Sequence, residues 1–143
     1  MKVYGSEVSL LLPARVREMV LTCRRRERRV PVRLMQMLSR EERFWVFTKV
    51  KSRGCWLWLG SKNGKGYGRL KWAGTWLQAH RLSYEIHHGK VPLDRIIMHS
   101  CDNGMCVQPE HLSVATHADN AADRESKGRG VRPRRPSPNR LQG

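Results

Sequence analysis

Acidic side chains are scarce in this 143-residue sequence: 12 Asp and Glu stand against 28 Lys and Arg, for a formal net charge of +16. That imbalance excludes an acidic or neutral surface and makes a polyanion the natural partner, nucleic acid first and an anionic membrane surface second. Long apolar runs are missing as well. No stretch approaches the length of a membrane span, and Val8-Ser9-Leu10-Leu11-Leu12 is too short and wrongly flanked for a secretory signal. A cytoplasmic, non-secreted protein is therefore expected, in which the 4 cysteines serve as thiols or metal ligands rather than as disulfides. Two independent cores would be cramped in a chain of this length, so one domain with tails is expected.

The positive charge is concentrated at the ends. Residues 1–40 hold 10 Lys/Arg and 3 acids, residues 41–128 hold 13 and 9, and residues 129–143 hold 5 and none. Basic arms on a nearly balanced middle add salt-sensitive, sequence-independent affinity for phosphates. The organisation read from this is a basic, partly helical extension over 1–38, a folded domain over 39–128, and a basic tail over 129–143. The tail, rich in Pro and Arg and almost without apolar side chains, is expected to be disordered.

Pro13 and Pro31 bracket a stretch of the extension that reads as one helix. Ser39-Arg40-Glu41-Glu42 matches the S-x-x-E capping box and predicts a helix from Arg40 through Phe44, Trp45 and Phe47 toward Lys51. Cys55–Leu59 reads as a strand and Ser61–Gly66 as a turn. Tyr67–Trp72 then resumes extended character, which together predicts a β-hairpin. After a second turn at Ala73-Gly74, Thr75–Ala79 is a third strand or the approach to a helix over 79–87 that Gly89 closes. Ile96–Met98 is a brief buried strand, Cys101–His111 a loop, and Ala118–Ser126 a helix begun by Thr116 and stopped at Gly128. The five tryptophans, all between Trp45 and Trp76, are expected to form the core of a small hairpin domain rather than a base-stacking platform.

Chemistry concentrates between His99 and Asn120. Cys101-x4-Cys106-x4-His111 sets two thiolates and an imidazole in one short loop, a ligand set that suits tetrahedral Zn²⁺. A fourth ligand must come from elsewhere. Cys55, which opens the first strand and would tie hairpin to loop, is the better candidate, and Cys23 the weaker. His99 ends the apolar strand, and Asn120 sits in the first turn of the last helix. A near-neutral imidazole can take a proton from water and a neutral amide oxygen can hold a hard cation such as Mg²⁺, a pairing suited to phosphodiester hydrolysis. His117 and Asp119 read as auxiliary ligands or helix caps.

Ala79-His80-Arg81, Met98-His99-Ser100-Cys101-Asp102-Asn103, Cys106-Val107-Gln108-Pro109-Glu110-His111-Leu112 and Asp119-Asn120 together resemble the phage-type HNH endonucleases and their His-Cys box homing relatives. Gly54-Cys55-Trp56-Leu57-Trp58 and Gly66-Tyr67-Gly68-Arg69 fit the same pattern. The resemblance implies an α+β fold of small zinc-stabilised antiparallel hairpins around a ββα-metal core with flanking helices. The strands of that core would be Ile96–His99 and Leu112–Val114, and its helix the one with Asn120. It further implies His99 as general base, Asn120 as ligand of a catalytic Mg²⁺, and Cys55, Cys101, Cys106 and His111 as a structural zinc site. An arginine steadying the scissile phosphate is also implied, with Arg69 preferred over Arg81. Lys62, Lys65, Arg69, Lys71 and Arg81 would contact DNA.

The activity so implied is hydrolysis of double-stranded DNA to 5′-phosphate and 3′-hydroxyl ends, in a phage-infected or bacterial cell. A second copy of the chain is a further expected partner, although the C-terminal cysteine-rich zinc site of the His-Cys box enzymes has no counterpart after Cys106. Met98 stands where many HNH enzymes carry an acidic or histidine metal ligand, which leaves Asn120 as the single protein anchor. The competing reading is a zinc-stabilised DNA-binding module without catalysis, which explains the charge and the cysteines but gives His99 and Asn120 no task.

Overall fold

A computed structural model describes residues 31–51 and 53–129, together with Ala14, Arg17, Glu18, Leu21 and Thr22. Most of the expected helix between Pro13 and Pro31, the alternative ligand Cys23 and the tail beyond Arg129 lie outside the described residues. Along the rest run α1 (Val32–Met37), α2 (Arg40–Val46), β1 (Thr48–Lys49), β2 (Leu57–Trp58), β3 (Arg69–Trp72), β4 (Thr75–Gln78), α3 (Ala79–His88), β5 (Ile96–His99), β6 (Leu112–Ala115) and α4 (His117–Ser126). The strands form three two-stranded antiparallel sheets, β1–β2, β3–β4 and β5–β6. The fold class is the expected α+β arrangement, with β5, β6 and α4 in the ββα order. No described helix is long and apolar enough to cross a membrane.

Helix α2 begins where the capping box places it. Ser39 Oγ accepts the Glu42 backbone N–H at 3.2 Å, and the Glu42 carboxylate accepts that of Ser39 at 2.7 Å. It ends at Val46, short of the expected Lys51. Thr48 donates its hydroxyl to the Phe44 carbonyl at 2.7 Å, taking the acceptor that a further helical turn would use, and the chain turns into β1.

The hairpin expected between Cys55–Leu59 and Tyr67–Trp72 is corrected by the strand pairing. β2 pairs with β1, and β3 pairs with β4 through Trp72↔Thr75. Ala73 and Gly74 both have positive φ, at 46° and 81°. A two-residue turn with that handedness matches the twist of its strands and so selects the tighter hairpin. The Ser61–Gly66 turn does form, closed by Asn63 N–H to the Tyr67 carbonyl at 2.8 Å, but its arms are joined only at the bridge Lys62↔Gly68.

Trp58 organises the core. Its indole lies 5.9 Å from Phe44 and 5.5 Å from Phe47 between ring centroids, and its Nε1–H donates to the Ser61 carbonyl at 3.0 Å. Gly60 and Gly68 make room for it: a Cβ at Gly68 would stand 2.5 Å from Trp58 Cδ1, and one at Gly60 2.7 Å from Cζ2. Leu34 and Leu38, on and just after α1, are buried against the same cluster, so the chain before residue 39 contributes to the core.

The tryptophans divide in burial. Trp45 and Trp58 are core residues, whereas Trp76 is 49% exposed on β4 with Arg69 stacked 4.0 Å above its ring. For Trp76 the expectation of a core role is overturned.

Two features position the functional loop. Trp58 N–H donates to the Met105 carbonyl and Val107 N–H to the Trp56 carbonyl, each at 2.9 Å, so β2 continues into the 105–107 segment. At the far end, Thr116 and Asp119 form a second capping box that starts α4 directly after β6.

Candidate functional site

The backbone bonds between β2 and residues 105–107 carry Cys55 to the loop that holds Cys101, Cys106 and His111. The ligand atoms of these four residues lie within 4.8 Å of one another. The His111 Nδ1 is 3.6 Å from the sulfur of Cys55 and 3.6 Å from that of Cys106. Tetrahedral Zn²⁺, with Zn–S near 2.3 Å and Zn–N near 2.05 Å, sets an S···N edge of about 3.6 Å. The two S···N distances match such an edge.

Burial, with the neighbouring thiols of Cys55 and Cys101 adding to it, pushes the Cys106 thiol up to about 12. Three crowded sulfurs need a cation among them to ionise, and a divalent metal supplies that charge. Among the described residues this is the one His/Cys/Asp/Glu group arranged to hold a metal ion.

Beside it, on the ββα element, opens a cleft of about 220 Å³ lined by His99, Asn120, Tyr67, Asp102, Asp123, Arg124 and Arg129. His99, the last residue of β5, donates its Nε2–H to the Cys106 carbonyl at 3.1 Å, which leaves Nδ1 as the nitrogen with the lone pair. Burial lowers its pKa below the usual histidine value, opposed by the Cys106 carbonyl and by Asp102. The shift favours the neutral imidazole. Asn120 lies one turn into α4; its amide makes no side-chain hydrogen bond among the described residues.

His80 packs on His99 with ring centroids 4.8 Å apart, and Tyr67 lies 5.9 Å from the same ring. His80 is buried, its Nδ1 has no hydrogen-bond partner, and its pKa falls to about 3 through burial first and the nearby His99 and Arg81 second.

The carboxylates of Asp102 and Asp123 at the cleft rim are paired. Asp102 meets Lys127 at 3.0 Å and Arg129 at 2.8 Å, and Asp123 meets Lys127 at 2.8 Å. Asp119 is committed to capping, accepting the Thr116 N–H at 2.8 Å and its hydroxyl at 2.7 Å.

The remaining expected residues fall elsewhere. Arg69 lines a second groove with Trp76, Lys71 and Arg43, away from the His99 cleft. Lys62, Lys65 and Lys71 are exposed on the same hairpin region. Arg81 donates to the carbonyls of Val91, Arg95 and Pro92 at 3.1, 3.2 and 3.3 Å and pairs with Glu85 at 3.7 Å, bracing the chain between α3 and β5.

Comparison with known proteins follows the same lines. Residues 77–122 match the family profile described as HNH endonuclease. The matched segment is similar to the HNH endonucleases. It contains Arg81, His99, Cys101, Cys106, His111 and Asn120; Cys55, Lys62, Lys65, Arg69 and Lys71 precede it.

The chain is also similar to two proteins of Escherichia phage T7. One, named "Protein 2.8", is 42% identical over 84 residues, 57% of this chain and 56% of that protein. The other, "Protein 7.7", is 45% identical over 76 residues, 52% of this chain and 58% of that protein. The match thus spans little more than half the length of either relative. No solved structure matches.

Sequence reasoning did not single out Asp123, Arg124 or Arg129. For the first two a signal was present: they lie three and four residues after Asn120 on an anticipated helix, which puts all three on one face. Arg129 reaches the cleft only through the fold.

Proposed function

We propose that the chain is a metal-dependent endonuclease that hydrolyses phosphodiester bonds of double-stranded DNA in the His99–Asn120 cleft. One observation carries the reading: His99 has Nε2 tied to the Cys106 carbonyl and a free Nδ1, in a ring that lines the same cleft as the uncommitted Asn120 amide. A neutral imidazole fixed in one tautomer is a general base ready for use.

Cys55, Cys101, Cys106 and His111 would hold zinc as a structural staple, as three soft sulfurs and one imidazole in a tetrahedral spacing favour. The Asn120 amide oxygen suits a hard divalent cation such as Mg²⁺, which when bound supplies charge neutralisation at the phosphate and at the leaving oxygen. His99 Nδ1 takes a proton from the attacking water, and the Cys106 carbonyl steadies the imidazolium through Nε2–H. Hydrolysis leaves 5′-phosphate and 3′-hydroxyl ends. Lys62, Lys65, Arg69 and Lys71 add backbone contacts that seat the duplex, with the basic ends supplying salt-sensitive affinity. The phage relatives support a role inside an infected cell.

Nicking of supercoiled plasmid with Mg²⁺ and with EDTA tests this directly, using wild type and His99→Ala with zinc measured on the same samples. Wild type should cleave only with Mg²⁺, and His99→Ala should lose about 10²–10⁴-fold in rate while keeping zinc and DNA binding. A wild type that shifts plasmid mobility and never nicks it is a binding module instead.

A further inference from the structure

We infer that Arg124 seats the reacting phosphodiester in the cleft, a role whose chemistry rests on the nuclease reading above. Arg69 and Arg81 are the arginines that sequence puts forward for this task, and the structure occupies both elsewhere. The Arg69 guanidinium lies on the Trp76 ring in another groove, and that of Arg81 is spent on three backbone carbonyls.

Arg124 instead lines the cleft with His99 and Asn120. It stands four residues after Asn120 on α4, one helical turn or about 6 Å along the axis and on the same face. A guanidinium there presents a two-pronged donor set to a phosphate whose other oxygens face the Asn120 side, the geometry for which Arg is better suited than Lys.

Charge accounting around the cleft singles out the same residue. The carboxylates of Asp102 and Asp123 are matched by Lys127 and Arg129, which are thereby committed to them. Arg124 makes no ion pair and no side-chain hydrogen bond among the described residues, so it is the unmatched cation lining a cleft that must receive an anion. Its exposed position at the rim lets it meet a DNA strand without rearrangement.

The test uses the full chain, loaded with zinc, as wild type, Arg124→Ala and Arg124→Lys. Binding of the dinucleotide TpT, a minimal phosphodiester, is followed by NMR at the Asn120 side-chain amide. Single-turnover cleavage of duplex DNA and duplex affinity in EDTA are measured alongside. Arg124→Ala should weaken TpT binding at least about 10-fold and slow cleavage about 10²–10³-fold, the loss typical of one transition-state donor. Duplex affinity should stay within about threefold, since other cations dominate it. Lys should restore part of the TpT binding.

Undiminished TpT binding by Arg124→Ala overturns the assignment whatever happens to cleavage. A wild type that binds TpT through Arg124 and cuts nothing leaves the phosphate seat standing and removes the nuclease reading. If the Ala variant loses zinc or helical signal, Arg124→Lys decides: TpT binding no better than that of the misfolded variant, on an intact fold, rejects a seat that any cation at this position should partly fill.

Discussion

His99 and Cys106 are joined by a hydrogen bond from the imidazole Nε2–H to the backbone carbonyl, 3.1 Å long, and Cys106 is at the same time one corner of the Cys₃His cluster. The orientation of the candidate base is therefore set by the backbone of a candidate metal ligand. Removing the metal should disturb both. A structural zinc contributes about 10–16 kcal/mol, which is comparable to the whole stability of an ordinary domain. Chelation, or Cys55→Ser, should abolish the cooperative thermal transition, and restoring one equivalent of Zn²⁺ to the chelated wild type should bring it back. A calorimetric transition that survives complete removal of metal would rule out the staple.

Gly68→Ala should destabilise the fold by about 1–3 kcal/mol, because the new methyl would sit 2.5 Å from the Trp58 indole in a packed core. Intrinsic tryptophan fluorescence and urea midpoints report this. Gly64→Ala, where a Cβ meets nothing within 4 Å, is the matched control and should shift the midpoint little.

His80 gives a pH dependence with a defined sign. Its folded pKa of about 3 lies below the ordinary 6.5, so between these values the unfolded chain binds the extra proton. Stability is fully present above pH 6.5 and declines as pH falls toward 3. His80→Phe removes the titrating group, and its urea midpoint should fall less steeply over that window than that of the wild type. Parallel curves would show that His80 does not titrate as described.

Arg81 and Lys65 should separate structure from binding. Arg81→Ala strips donors from the Val91, Pro92 and Arg95 carbonyls and should cost about 1–3 kcal/mol of stability with little change in the salt dependence of DNA affinity. Lys65→Ala should leave stability alone and reduce the slope of log K against log salt by about 1. The reverse pattern would return Arg81 to the DNA-contacting set.

Local signals were legible in the sequence where a short segment decides the outcome by itself. Ser39 with Glu42 and Thr116 with Asp119 each mark a helix start correctly, because both partners of a capping box lie within four residues. The Cys101, Cys106 and His111 spacing, with Cys55 as its distant partner, is likewise brought together by the fold. What could not be read depends on competition between distant segments. Whether Tyr67–Trp72 pairs backward with Cys55–Leu59 or forward with Thr75–Gln78 turns on the positive φ of Ala73 and Gly74 and on β1 claiming β2 first. Arg69 was placed at the cleft by analogy, and its stack on Trp76 is a cross-strand contact that only the β3–β4 register reveals.

The reach of the Cys₃His cluster bears on when the protein becomes functional. Cys55 and His111 are 56 residues apart, and their meeting closes a loop that contains both β3–β4 and α3. Ordering so long a loop is an entropic cost that local hydrogen bonds within each hairpin do nothing to meet. During synthesis, then, the hairpins and helices can form as each emerges, whereas the Cys55–His111 contact waits until His111 has left the ribosome. Under the nuclease reading proposed above, zinc supply would arm the protein, and the free-zinc level would govern when cutting begins.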